Sequence, residues 1–234
     1  MERTYQVLDY AEIYAAHPEP YDRLVVREDY QGNILPALQS ICALGGLEVV
    51  ESGAGTGRLT RLLAPHVRTL HVFDASPAML AHAAETLQGA PNVTLRVASH
   101  HSLPLPNACA DLYLVGWSFC YTYLSPEGDP SASVARAVDE ARRLLRPNGK
   151  IIILETFGTG CQTPCPPANL DAYFAVLTDL GFRSTWIRTD YRFESRTEAE
   201  ELITFFFGVE MVAQLEDASQ PVLPECTGLW WRDA

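Results

Sequence analysis

The chain has 234 residues, 47% of them hydrophobic and 20% charged, which is enough apolar material for one sizeable core. Lys and Arg number 17 against 29 Asp and Glu, a net charge of −12 that repels polyphosphate. No Lys/Arg run supplies a local basic groove, so nucleic acid is not an expected substrate. No stretch approaches the roughly 20 apolar residues of a membrane span, and Met1-Glu2-Arg3-Thr4-Tyr5 has no apolar signal core. The expectation is a cytoplasmic protein without membrane contact. Its six cysteines then read as thiols, and Cys161-x-x-x-Cys165 lacks the spacing and the second pair of a metal site.

Half of the ten tyrosines (Tyr5, Tyr10, Tyr14, Tyr21 and Tyr30) fall in the first thirty residues, where the plain reading is an amphipathic helical segment. From Gly46 to Phe157 short apolar runs alternate with helical periodicity, the pattern of βαβ units in a parallel sheet. Strand one is predicted over residues 47–51. The next helix buries Leu59, Leu62 and Leu63 and stops before Pro65. Strand two covers 69–73 and ends in Asp74, and Ser76-Pro77 caps a helix carrying Met79, Leu80, Ala83 and Leu87 that ends near Gly89.

Strand three is predicted over 93–98. The loop Leu103-Pro104-Leu105-Pro106-Asn107 leads to strand four at 111–116. Val134, Val138, Ala141 and Leu145 share one face of the following helix, and Pro147-Asn148-Gly149 turns the chain into strand five at 150–155. A helix with Leu170, Tyr173, Phe174 and Leu177 closes at Gly181, and 183–193 reads as one sixth strand. A capped helix from about Thr197 carries Ala199, Leu202, Ile203 and Phe206. Residues 227–232 form the last strand, and the roughly thirty residues between the last two strands are too long for a hairpin turn, which predicts a helical insertion.

Three segments carry chemistry. Glu51-Ser52-Gly53-Ala54-Gly55-Thr56-Gly57 ends an apolar run in a carboxylate and alternating glycines, spaced G-x-G-x-G rather than the G-x-G-x-x-G of dinucleotide binders. Phe73-Asp74-Ala75-Ser76-Pro77-Ala78-Met79-Leu80 is the second. The third joins the proline-bearing loop with 111–116 and Arg143-Leu144-Leu145-Arg146-Pro147-Asn148-Gly149-Lys150. In this order the chain resembles the class I S-adenosylmethionine-dependent methyltransferases, in the broad small-molecule group.

That resemblance implies an α/β fold, a doubly wound, seven-stranded, mainly parallel and Rossmann-like sheet whose last strand is antiparallel. It implies one domain over 1–234, with a helical lid at 1–44, a cofactor-binding core at 45–157 and a substrate-side completion at 158–234. The implied cofactor is S-adenosyl-L-methionine. Gly53, Ala54 and Gly55 would let the backbone approach its methionine part and sugar, where a Cβ would collide. Glu51 would organise the loop and face the amino group, and Asp74 would accept from both ribose hydroxyls. Ala75 and Met79 would flank the adenine, near Ser99, which stands where the family commonly has an acid, and His100, which takes a cofactor-edge or surface role.

Gly116-Trp117-Ser118-Phe119, whose Gly116 the resemblance also places at the cofactor, lies where the family places substrate-facing residues and lacks the Asn/Asp-Pro-Pro-aromatic pattern of enzymes methylating nucleic acid or glutamine. Together with the acidic charge, that implies a small-molecule acceptor. Tyr14, Tyr21 and Trp117 are the candidate catalytic residues, with His17 and Glu155 as further candidate bases. A non-catalytic cofactor- or partner-binding module on the same fold is the alternative, and an NAD-dependent oxidoreductase is disfavoured by the glycine spacing.

Overall fold

Near-continuous apolar runs in the central strands dictate a sheet covered on both faces. The computed structural model describes residues 10–125, 128–216 and 220–234. Its strands are β1 (Glu48–Ser52), β2 (Thr69–Asp74), β3 (Val93–Val97), β4 (Ala110–Gly116), β5 (Leu145–Thr159), β6 (Arg183–Arg188), β7 (Tyr191–Arg192), β8 (Val222–Leu223) and β9 (Glu225–Asp233). Seven of them form one sheet in the order β3-β2-β1-β4-β5-β9-β6. Pairing from β3 through β5 is parallel, and β9 is antiparallel to both β5 and β6.

The helices are α1 (Tyr10–Ala16), α2 (Pro18–Val25), α3 (Ile34–Ile41), α4 (Arg58–Leu63), α5 (Pro77–Thr86), α6 (Cys120–Leu124), α7 (Pro130–Leu144), α8 (Asp171–Asp179) and α9 (Arg196–Phe207). Val50, Tyr113, Val115, Ile151 and Ile153 bury against α7 and α8 through Val134, Val138, Ala141, Tyr173 and Leu177. Their sequence neighbours Val49, Leu112, Leu114, Ile152 and Leu154 bury on the opposite face against Ile34, Leu38, Leu59, Leu63 and Leu80. No helix among the described residues is long and apolar enough to cross a membrane.

Four expectations are corrected. Leu145 does not continue the helix face; it opens β5, pairing with Ala110. Pro147-Asn148-Gly149 does turn the chain, with Asn148 at φ 69°, but pairing with β4 resumes at Lys150, so the turn loops out within one strand. The expected sixth strand at 183–193 is two strands. The chain breaks at Thr189 and Asp190, whose side chains bond Glu28 and the Glu225 N–H, and β7 pairs with β8 in a separate small sheet. The segment between β7 and β9 is helical, as expected, in α9 and in a 3₁₀ helix at Val209–Gln214, but also contributes β8.

Local signals explain the helix starts near the carboxyl edge of the sheet. Ser76 Oγ accepts the Met79 N–H at 3.3 Å, Asp129 Oδ1 accepts from Ser131 N at 2.9 Å, and Ser195 Oγ accepts from Glu198 N at 3.1 Å. Ser76 Oγ also donates to the Tyr14 carbonyl at 2.6 Å, and Arg61 bonds Asp22 at 2.9 Å. These contacts hold α1 and α2 over the ends of β1 and β2. Leu24 of α2 is buried with Leu202 and Ile203 of α9, which joins the two helical segments. Tyr30 instead stacks under Arg192, and Tyr5, with residues 1–9 of the expected lid, lies outside the described residues.

Leu114 is fully buried in the central strand β4. Leu114→Ala should lower the unfolding free energy by about 2–5 kcal/mol with an unchanged denaturant slope, measured by urea titration.

Candidate functional site

Strand order reverses between β1 and β4, so the connections after them leave to opposite faces and a crevice opens beyond their carboxyl ends. The chain enters that crevice through a loop with Gly53, Gly55 and Gly57 at φ 70°, 57° and 86°, left-handed values that a side chain resists. At Gly53 space is also lacking, because a Cβ would lie 1.9 Å from Ser118 Oγ and 2.8 Å from His100 Cε1. At Gly55 the nearest atom to a Cβ is Tyr21 Cε1 at 3.5 Å, so conformation alone demands glycine there. The Ala54 N–H donates to the Phe73 carbonyl at 3.0 Å while its side chain packs into the core.

Asp74 ends β2 beside this loop. Its Oδ2 accepts the Gly55 N–H at 2.8 Å and its Oδ1 accepts the Ser76 N–H at 2.7 Å, which leaves lone pairs on both oxygens for further donors. Burial raises its pKa above the ordinary carboxylate value, against the lowering effect of those N–H groups. Glu51 is buried beneath the loop, where Oε2 accepts from Thr60 Oγ1 at 2.7 Å, and loss of hydration pushes its pKa up to about 7. It borders a small void with Gly53, Ala54 and Arg58 rather than the crevice itself.

The crevice is a cavity of about 550 Å³, within the range of small-molecule pockets. Gly53, Gly55, Asp74, Ala75, Met79 and Gly116 line it, with Tyr10, Tyr14, Tyr21 and Trp117 closing the other side. Ser118 Oγ is buried on its wall with no hydrogen-bond partner among the described residues. A neighbouring cavity of about 380 Å³ shares Gly53, Ala75 and His100 and adds Ser99, His101 and Arg136. Ser99 is exposed there. His100 Nδ1 bonds Ser52 Oγ at 2.8 Å, and burial with His101 close by holds its pKa down to about 4, so the ring is neutral. His101 turns away to Ser133 at 3.1 Å, and the two rings do not converge.

A third cavity, of about 270 Å³, shares Tyr10, Tyr14, Tyr21, Trp117, Tyr121 and Leu124 with the first. Beyond that aromatic set it reaches Glu28, Arg58, Glu155, Glu225, Phe206 and Phe207. Trp117 sits at the crest of β4 with φ 51°, a strained value for a bulky residue, and the Arg58 guanidinium lies 3.5 Å from its ring centroid. Tyr14 and Tyr121 hydroxyls bond at 2.9 Å. Burial raises the Tyr14 pKa well above its ordinary value and pushes that of Tyr21 up to about 12, which favours the protonated hydroxyls. His17 packs against Phe205 and lines none of these cavities.

Sequence reasoning brought Asp74, the glycines and three of the tyrosines to one place. It missed Glu28, Arg58, Glu225 and Phe207. Arg58 alone had a local signal, a cation at the start of a helix, where the dipole disfavours it. Among the described residues no three His, Cys, Asp or Glu side chains gather in a way that could hold a metal ion, and all six cysteines are free.

Residues 50–153, which span this loop, Asp74 and β4, match the family model of a methyltransferase domain. Over this region the chain is similar to the class I S-adenosylmethionine-dependent methyltransferases. The domain is 28% identical over 157 residues to the ubiquinone/menaquinone biosynthesis C-methyltransferase UbiE of Caulobacter vibrioides, covering 62% of this chain and 56% of that protein. It is 33% identical over 140 residues to the malonyl-(acyl-carrier protein) O-methyltransferase of Pectobacterium atrosepticum, covering 60% and 49%. The chain thus spans about half the length of the curated relatives it matches. A SAM-dependent methyltransferase from Aquifex aeolicus shares the fold, with a TM-score of 0.54 at 17% identity over 95% of this chain and 93% of that one. S-adenosylmethionine is the cofactor of such a methyltransferase domain. The left-handed glycine cradle, the free lone pairs of Asp74 and the orphaned Ser118 hydroxyl fit a ligand with a ribose diol and polar ends.

Glu155 faces the third cavity, accepts from Cys120 N at 2.8 Å and Tyr173 Oη at 3.2 Å, and is pushed by burial up to about 7. Between its ordinary value and about 7 the unfolded chain has lost the proton that the folded chain keeps. Folded-state stability therefore falls as pH rises through that window, by on the order of 3 kcal/mol. Glu155→Gln should abolish this loss, so that its urea stability relative to the native protein improves from about pH 5 to about pH 8. A stability difference that stays constant over that range would contradict the assignment.

Proposed function

We propose that the domain catalyses methyl transfer from S-adenosylmethionine to a small-molecule acceptor. One observation carries this reading: the glycine-and-Asp74 crevice shares a wall of aromatic residues with a second pocket large enough for an acceptor. Asp74 would hold the ribose diol, Gly53 and Gly55 would admit the methionine part and sugar, and Ala75 and Met79 would flank the adenine. Ser99 and His100 would border that end, Glu51 would fix the loop from beneath, and Gly116 would leave room beside the reacting group. When bound, the cofactor supplies a methyl group already activated on a cationic sulfonium.

The protein's own part is then positioning and exclusion of water. Tyr14, Tyr21 and Trp117 would shape the passage between the pockets, and their ring faces favour a nearby cation by roughly 1 kcal/mol each. α1 and α2 would act as the lid, held by the Ser76–Tyr14 and Arg61–Asp22 contacts. Glu155, with its raised pKa, is the candidate group to take a proton from an acceptor that needs to lose one. The net charge of −12 supports an acceptor other than nucleic acid, and the free cysteines support a cytoplasmic location.

Asp74→Ala should weaken S-adenosylhomocysteine binding at least about tenfold by calorimetry, because each lost charge-assisted bond is worth roughly 1.5–3 kcal/mol. Unchanged affinity would sink the cofactor-site assignment. Release of S-adenosylhomocysteine during incubation with an acceptor panel tests the reaction itself, and a protein that binds the cofactor but turns over no acceptor would be a binding module.

A further inference from the structure

The pocket beyond the aromatic wall has an unusual charge inventory. Glu28, Glu155 and Glu225 are 7%, 1% and 1% exposed, and all three line it. Arg58 is the one cationic residue lining it among the described residues, and it is already committed, paired with Glu28 Oε2 and stacked on Trp117. Acids therefore exceed cations by two in a water-poor space.

Glu225 is the side chain left unanswered. Its Oε1 accepts from Thr156 Oγ1 at 2.8 Å, but its Oε2 is buried with no hydrogen-bond partner among the described residues. A buried carboxylate oxygen without a donor costs free energy in either protonation state, so a ligand that supplies a donor recovers that cost. Burial and the neighbouring Glu28 raise its pKa, outweighing the Thr159 and Thr156 hydroxyls and the Arg58 charge, which lower it. Around it the pocket is apolar and aromatic. Tyr10 and Phe206 lie 5.1 Å apart by ring centroids and Phe206 and Phe207 5.0 Å, presenting ring faces that attract a cation as well as an apolar body.

We propose that the acceptor is an alkylamine with an apolar or aromatic body, bound as its ammonium against Glu225 with that body held among Tyr10, Phe206 and Phe207; attack of the nitrogen on the methyl follows transfer of one ammonium proton to the Glu225 carboxylate. This rests on the reading of the cavity as the acceptor pocket. An ammonium answers both the orphaned oxygen and the excess of acids. A hydroxyl answers only the first, and a carboxylate or phosphate brings no cation to the acids. Glu225 is thereby a specificity-determining residue, distinct from the residues proposed to hold the cofactor.

The test compares 2-phenylethylamine with its neutral counterpart 2-phenylethanol, titrated by calorimetry into the protein saturated with S-adenosylhomocysteine. The amine should bind at least tenfold more tightly than the alcohol, and Glu225→Gln should erase that preference while leaving S-adenosylhomocysteine affinity unchanged. Equal binding of the two probes, absence of amine binding, or a preference that survives in Glu225→Gln overturns the proposal. If the variant fails to fold, the native protein's preference between the probes still decides. Failure of S-adenosylhomocysteine to bind the native protein would instead overturn the cofactor-site reading.

Discussion

The carboxylate of Asp74 ties together the two loops that leave the adjacent strands β1 and β2. One oxygen takes the Gly55 N–H and the other the Ser76 N–H, while the Ala54 N–H reaches the Phe73 carbonyl just before it. The glycine loop is thereby pinned in left-handed conformations, which would be costly if the loop had to find them unaided. Everything at the crevice is measured from this clamp. The Ser76 cap sets the direction of α5 and so the position of Met79. The same Ser76 hydroxyl holds the Tyr14 carbonyl and with it the aromatic roof. A single side chain thus orders floor and roof together.

Buried acid is the second theme. Glu51 lies in β1, Glu155 in β5 and Glu225 at the start of β9, and all three are 1% exposed. Parallel strands bring their carboxyl ends to one edge, and the antiparallel β9 brings its amino end to that same edge. The topology itself therefore concentrates these groups. Low dielectric then keeps their pKa values up, with only partial relief from hydroxyl and N–H donors such as Thr60, Cys120 and Thr156. Such an edge is a poor place for an anion and a good one for a molecule that brings positive charge.

Local grammar carried most of the fold. The short apolar runs of β1, β4 and β5, the Ser76-Pro77 cap and the glycine run each depend on residues a few positions apart, so they can be read in order along the chain. Asp74 was legible for the same reason, since its partners lie 2 and 19 residues away. What escaped depends on distant partners. The break between β6 and β7 is fixed by Thr189 bonding Glu28, 161 residues away, and by Asp190 accepting the Glu225 N–H. The propensities of 183–193 read as one strand because nothing local interrupts them. Leu145 has the right spacing for a helix face, yet its pairing with Ala110 draws it into the sheet. Glu28 and Glu225 look like ordinary surface acids until the tertiary fold closes over them.

The position of β9 has a bearing on how the molecule is made. It is slotted between β5 and β6, both of which emerge from the ribosome before it. Until it arrives, the nascent chain holds two facing strand edges with unpaired amide groups and an open seam in the hydrophobic layer. That intermediate is a candidate for mispairing with another chain or for chaperone capture. β9 also carries Glu225, so the acid wall formed with Glu28 and Glu155 is incomplete until the seam closes. Insertion of β9 thus pairs both open edges and completes the pocket lining together.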